Sequence, residues 1–224
     1  MKQPSKSHAS SLHHHLRKQM TTIMIIDYSI DIKHYYEKII NFKGTFYYEC
    51  PFCHASHSFQ RHGTYERNLV SFDLKGITEG KIFILRVICT SCGHTHSILP
   101  WDIIPFRVFS ASAFLQILNL LHCENLSALN IASLLTVSYQ VVYSVLKLFL
   151  DFMYRIQLFL RYSFIYCSEI QPTALQCLHA ILNYPGGPSA FFLNFLCYHQ
   201  KPFFMNRRST SSYPIYISFP KSKK

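Results

Sequence analysis

The sequence predicts an α+β protein: a small antiparallel β zinc ribbon, followed by an all-α helical domain built around a helix-turn-helix. Three observations predict it. Two Cys-x-x-Cys pairs, Cys50–Cys53 and Cys89–Cys92, bracket a β-prone stretch. Beyond residue 110, apolar residues recur at helical spacing. Between residues 127 and 149, two helical patterns meet at a turn of two residues, Thr136 and Val137.

Composition sets the frame. Of 224 residues, 49% are hydrophobic and 15% charged, enough apolar surface for a real core and too little charge for a chain dominated by disorder. The net charge of +11 is unevenly placed. Residues 1–20 carry four cations and no acid, residues 21–124 nine of each, and residues 125–224 nine cations against Asp151 and Glu169. A basic surplus flanking a neutral middle suggests a polyanionic partner. No membrane span is expected. Residues 111–121 are too short, and Lys147, Asp151, Arg155 and Arg161 interrupt the apolar run over 141–166. Residues 1–23 read as a disordered basic tail without a secretory signal. The expected location is cytoplasmic, where paired cysteines serve as metal ligands and not as disulfides.

Residues 24–100 form the predicted ribbon. Each Cys-x-x-Cys can fold into a tight knuckle, and two knuckles close a tetrahedral four-sulfur cage. The expected ligands are Cys50, Cys53, Cys89 and Cys92, and the expected ion is structural Zn²⁺, since a closed four-thiolate site leaves no position for substrate. Pro51 stiffens the first turn, and Gly93 permits the positive φ that a knuckle often takes. Two arms, 64–73 and 81–88, are β-prone, with turn signals at 75–76 and 79–80, and residues 95–99 can add a third strand. So small a sheet is expected to lack a sizeable core and to depend on its metal. His54, His57, His94 and His96 lie near the cage and read as surface residues or as neighbours of the ligands. His54 and His94 can equally face phosphate. Cys123, Cys167, Cys177 and Cys197 have no ligand spacing and read as buried free thiols.

Residues 101–110 form a connector in which Trp101, Ile103, Ile104 and Phe106 are expected to pack. The helical domain spans 111–200. Ser110 or Ser112 can cap a first helix running to about His122, with Phe114, Leu115, Ile117, Leu118 and Leu121 on its apolar face. The helix-turn-helix covers about 125–149. A helix over 125–135 is followed by the turn, and Ser138 can cap the second helix. Val141, Val142, Val145, Leu146 and Phe149 point inward on that second helix. Ser138, Tyr139, Gln140, Tyr143, Ser144 and Lys147 point outward, where Gln can read adenine edges and Ser and Tyr can touch bases or phosphate. These six are the candidate DNA-binding residues, and double-stranded DNA is the expected partner.

The order of parts resembles the zinc-ribbon plus helix-turn-helix front ends of insertion-sequence transposases. It is especially similar to an uncharacterised bacterial family of small transposase-like proteins. The residues that carry the resemblance are CPFC (50–53), RHG (61–63), the arm ending in CTSC-GH (89–94), LPWDIIPFRVFS (99–110) and IASLLTVSYQVVYSVLKLF (131–149). It implies zinc on the four cysteines and a DNA-reading second helix. His54 and Thr136 stand where that family usually has glycine. Full transposases hold two metals with three carboxylates in a ribonuclease-H-like core. After residue 124 this chain has only Asp151 and Glu169, so neither catalytic residues, enzymatic activity nor a small-molecule substrate is expected.

Residues 150–200 are helix-like, broken by YPGGP at 184–188, and leave room for a homodimer through the C-terminal helices. The stretch KPFFMNRR (201–208) is a basic-aromatic cluster suited to phosphate or single-strand stacking. Residues 201–224 read as a basic-aromatic tail, disordered from 209 onward. The reading for the whole chain is a zinc-dependent, transposase-related DNA-binding protein of the nucleoid. A protein–protein interaction module, or a non-catalytic recombinase subunit, is the alternative.

Overall fold

The computed structural model describes residues 23–73, 76–165, 171–199 and 215–218. Its first half is a sheet with strand order β2-β3-β4-β1-β5. The strands are β1 (Ile23–Asp27), β2 (Phe59–Asp73), β3 (Gly76–Cys89), β4 (Thr95–Pro100) and β5 (Ile215–Ser218). β2, β3 and β4 pair antiparallel, as the ribbon reading expects. The hairpin reverses between Asp73 and Gly76, so the expected turn at 79–80 is absent: Glu79 and Gly80 sit in register with Val70 and Leu69. The arms are accordingly longer than predicted. His62 forms a bulge, with Gly63 at φ +138°, a backbone state that favours glycine.

The sheet is larger than a three-stranded ribbon. β1 pairs parallel with β4 and β5 parallel with β1. β4 is buried along its whole length and β1 from Met24 to Asp27, the pattern of interior strands covered on both faces. β5 corrects the expectation of disorder for residues 215–218, where the alternating Ile-Tyr-Ile-Ser is β-prone; the rest of 209–224 lies outside the described residues. The segment 201–208 lies outside the described residues.

A short helix, α1 (Ile32–Tyr35), continues as a π turn over Tyr36–Ile40 and packs on the sheet. Tyr35 is fully buried. Its hydroxyl donates to the Ile98 carbonyl and accepts from Leu85 N–H at 3.0 Å. Leu85 and Ile98 are cross-strand partners, so the phenol bridges the end of the β3–β4 ladder. Arg61 donates to the carbonyls of Ile39, Ile40 and Phe42, closing the end of the π turn where carbonyls lack intrahelical partners. Together with Ile25, Ile84, Val87 and Leu99, Tyr35 belongs to a core proper to this half. That corrects the expectation of a coreless ribbon. The missing signal was β1 and α1, which lie upstream of the knuckles and add Met24, Ile25, Ile26 and Tyr35 to that core.

The second half is α-helical: α2 (Ala111–His122), α3 (Ala128–Leu135), α4 (Tyr139–Tyr162), α5 (Ala174–Leu182) and α6 (Gly187–His199). Ser110 caps α2 through Ala113 N–H, Ser127 caps α3 through Asn130 N–H, and Thr173 with Gln176 forms a capping box on α5. Gly186 and Gly187 break the chain between α5 and α6 at φ +84° and +79°. The core joins Phe114, Ile117 and Leu118 of α2 to Val142, Val145, Phe149, Phe152 and Ile156 of α4 and to Phe191 and Phe195 of α6. No helix among the described residues is long and apolar enough to cross a membrane.

The connector packs as expected at Ile103 and Ile104, both buried. Phe106 does not. It is 58% exposed at φ +61°, carried outward by the bend after Pro105. The connector lies along the outer edge of β2: Val70 N–H donates to Val108, Ser110 N–H donates to Val70, and Arg67 reaches the carbonyls of Ile104 and Arg107. Asp102 accepts from Ile32 N–H at 3.0 and 3.1 Å, while its carbonyl accepts from Ala111 N–H. One residue thereby ties the start of α1 to the start of α2.

Candidate metal centre and exposed helix face

The two knuckles fold alike. In the first, Cys50 N–H donates to the Ala55 carbonyl and His54 N–H to the Cys50 carbonyl; in the second, Cys89 N–H donates to His94 and Gly93 N–H to Cys89. The residue after each second cysteine takes positive φ, Gly93 at +74° and His54 at +59°. His54 therefore adopts the backbone state that glycine would fill more easily, and its ring is held by Glu49 at 2.7 Å.

The knuckles face each other, and all four sulfurs lie within 4.8 Å of one another. Cys50 to Cys92 and Cys53 to Cys89 are each 3.7 Å apart, both pairs crossing from one knuckle to the other. A zinc–sulfur bond of about 2.3 Å implies tetrahedral edges of about 3.8 Å. The donor set and its spacing therefore fit a four-thiolate ion such as zinc. These cysteines are free thiols, and sulfurs 3.7 Å apart are not disulfide-bonded.

The sulfur environments differ. Cys50 and Cys89 are fully buried, Cys53 and Cys92 partly exposed. Burial pushes the Cys50 thiol up. Burial also raises Cys89, but hydrogen bonds from Ser58 and from the Cys92 and Ser91 amides outweigh it and bring it down to about 6. Burial and the neighbouring thiols push Cys92 up to about 12. Four such groups ionise together only with a cation among them.

The histidines separate. His54 is exposed on Glu49, and the exposed His57 meets Tyr47 edge-on at 5.0 Å. His94 is half-buried and stacks on Phe52 at 3.7 Å. His96 is fully buried, with Nε2 3.5 Å from Cys50 Sγ. Of the remaining cysteines, Cys177 is buried, Cys123 half-buried 3.6 Å from His179 Nε2, and Cys197 exposed, which corrects the expectation of burial for the last. Cys167 lies outside the described residues.

In the helical half, α3 ends at Thr136, which takes φ +55° and ψ +36°, with its N–H on the Ala132 and Ser133 carbonyls. Val137, mostly buried, tucks beneath the turn, and α4 begins at Tyr139. Ser138 stands at the N-cap position without a side-chain cap bond. α4 runs to Tyr162, thirteen residues past the expected end at 149, because the buried series Val145, Leu148, Phe149, Phe152, Ile156 and Phe159 holds its helical spacing throughout. Val142, Val145 and Phe149 are buried as expected, Val141 and Leu146 half-buried. Ser138, Tyr139, Gln140, Tyr143, Ser144 and Lys147 are all exposed, with Tyr139 and Tyr143 stacked at 6.2 Å.

A family model described as a domain of unknown function (DUF6431) matches residues 50–132. The matched stretch holds all four cysteines of the cage and ends inside α3, before the Thr136 turn. No curated protein matches the chain, and no solved structure matches it.

Proposed function

We propose that this chain is a non-enzymatic, zinc-dependent protein that binds double-stranded DNA, related to the front ends of insertion-sequence transposases and working at the nucleoid. Zinc on Cys50, Cys53, Cys89 and Cys92 braces the β unit, and the α3–α4 pair presents its reader face. One observation carries the DNA part. The first turns of α4 bury Val142 and Val145 while leaving a continuous polar-aromatic row, Tyr139, Gln140, Tyr143, Ser144 and Lys147, open to solvent. A helix docked on its neighbours by one face, with hydrogen-bonding side chains on the other, fits a major groove.

The test is binding of full-length, zinc-loaded protein to a selected duplex across a salt series. Affinity is expected to fall steeply with salt. Lys147→Ala should weaken binding on every sequence and flatten the slope by about one counterion. Gln140→Ala should instead relax discrimination at particular base pairs by about 1–3 kcal/mol. Binding that ignores salt, or that neither substitution touches, rejects the reader helix. Magnesium-dependent strand cleavage by the purified chain rejects the non-enzymatic part.

A second reading has its own observation. Further along α4, Leu150, Tyr154 and Tyr162 are exposed, and Tyr198 of α6 packs on Tyr162 at 4.4 Å. Such a surface favours self-association through the C-terminal helices. A molar mass of two chains in solution, returned to one by Leu150→Ser with Tyr154→Ser, would support it.

A further inference from the structure

We propose that His96 and Ser58 are positioning residues of the metal centre, donating side-chain hydrogen bonds to the two buried sulfurs and so setting how tightly the cage holds its ion. The inference rests on the metal reading above and adds to it two residues outside the ligand set.

The reasoning begins with charge. A divalent ion on four thiolates is a unit of net charge −2, and burying such charge is costly unless donors face it. Cys53 and Cys92 are partly exposed, so water can serve them. Cys50 and Cys89 are fully buried. Each of these two faces a side chain able to donate: His96 Nε2 lies 3.5 Å from Cys50 Sγ, and Ser58 Oγ lies 3.3 Å from Cys89 Sγ, nearer than its other acceptor, the Ala55 carbonyl at 3.4 Å.

The donors are held from behind. His96 stands on β4 between Val87 of β3 and Ile23 of β1 in the strand register, and its ring meets Phe59 edge-on at 5.4 Å. The Ser58 carbonyl accepts from Thr90 N–H at 2.7 Å and Thr90 Oγ1 at 2.9 Å, tying it to the opposite knuckle. A side chain fixed by packing can orient a ligand at little entropic cost. His96 also links the cage to the middle of the sheet.

The decisive experiment uses full-length wild-type protein loaded with cadmium-113, with its imidazoles labelled with nitrogen-15. The metal is expected to show a four-sulfur resonance, His96 to carry its proton on Nε2, and that proton to be scalar-coupled to cadmium through Cys50 Sγ. A four-sulfur cadmium with no coupling to His96 overturns the inference and leaves the metal site standing. A three-sulfur, one-nitrogen resonance overturns it by making His96 a ligand. Failure to hold cadmium at all removes the metal reading itself.

Variants give a second readout. His96→Phe should raise the zinc dissociation constant about 10–100-fold, and in cobalt-loaded protein shift the thiolate-to-metal charge-transfer band to lower energy. His96→Gln, which keeps an N–H at similar reach, should restore both. Ser58→Ala should act in the same direction. Wild-type affinity in His96→Phe and Ser58→Ala alike overturns the proposal. If His96→Phe does not fold, the cadmium coupling in the wild-type chain decides.

Discussion

Tyr35 shows what one side chain does in this fold. Its hydroxyl satisfies Leu85 N–H and the Ile98 carbonyl, two groups that water cannot reach. Tyr35→Phe keeps the ring and leaves both unpaired, so it should cost about 1–3 kcal/mol in urea unfolding. Thr136 predicts the opposite sign. A β-branched residue at φ +55° is strained by about 1–2 kcal/mol, and its side chain is exposed. Thr136→Gly should therefore raise stability by up to about 1 kcal/mol. Asp102 adds a pH dependence. Burial pushes its carboxyl up to about 7 from an ordinary 3.8, while Ile32 N–H pulls the other way. Between pH 4 and 7 the folded chain keeps a proton that the unfolded chain has released. The stabilisation is full below pH 4 and is lost as pH rises through about 7. Relative to Asp102→Asn, the wild-type chain should lose a few kcal/mol across that window, measured by denaturation at each pH.

Among elements, α4 matters most. Its apolar stripe runs from Val142 to Leu160 and buries against α2, α5 and α6. The exposed stripe on its other side changes character along its length, polar and cationic up to Lys147, then apolar at Leu150 and Tyr154. The first part suits a groove and the second a protein surface. An element-scale prediction follows from the long hairpin. The arm from Gln60 to Asn68 lies largely exposed along the outer edge of the sheet, ahead of the point where the connector covers it at Val70. Its amides should exchange faster than those of β4, which is buried and paired on both sides.

On the scale of the whole molecule, two cores meet near Tyr28 and Trp101, and Trp101 reaches α6 through Phe192 at 6.0 Å. Because the sheet half has its own core, metal removal should not unfold the chain. Chelation is expected to speed hydrogen exchange at residues 50–57 and 89–94 while α2, α4 and α6 keep their protection. Global loss of helicity on chelation would show instead that both halves depend on the cage.

The cysteine spacing, the caps Ser110 and Ser127, and the apolar periods of α2, α3 and α4 are local signals. They determined the knuckles, the hairpin with its third strand, and the order of helices, because a knuckle or a capped helix is specified by residues a few positions apart. The four-sulfur cluster was legible because each knuckle offers only two thiolates, and a closed tetrahedral site needs the second knuckle to complete it. What tertiary structure decided was everything between distant segments. β1 and β5 read as an apolar start and a basic tail until β4 lies beside one and β1 beside the other, since a parallel strand is chosen by its partner. The turn signal at 79–80 yielded to a reversal already made between Asp73 and Gly76. His96 was one of four histidines near the cysteines, and only the sheet, by placing β4 under the first knuckle, distinguished it from the three that remain at least partly exposed.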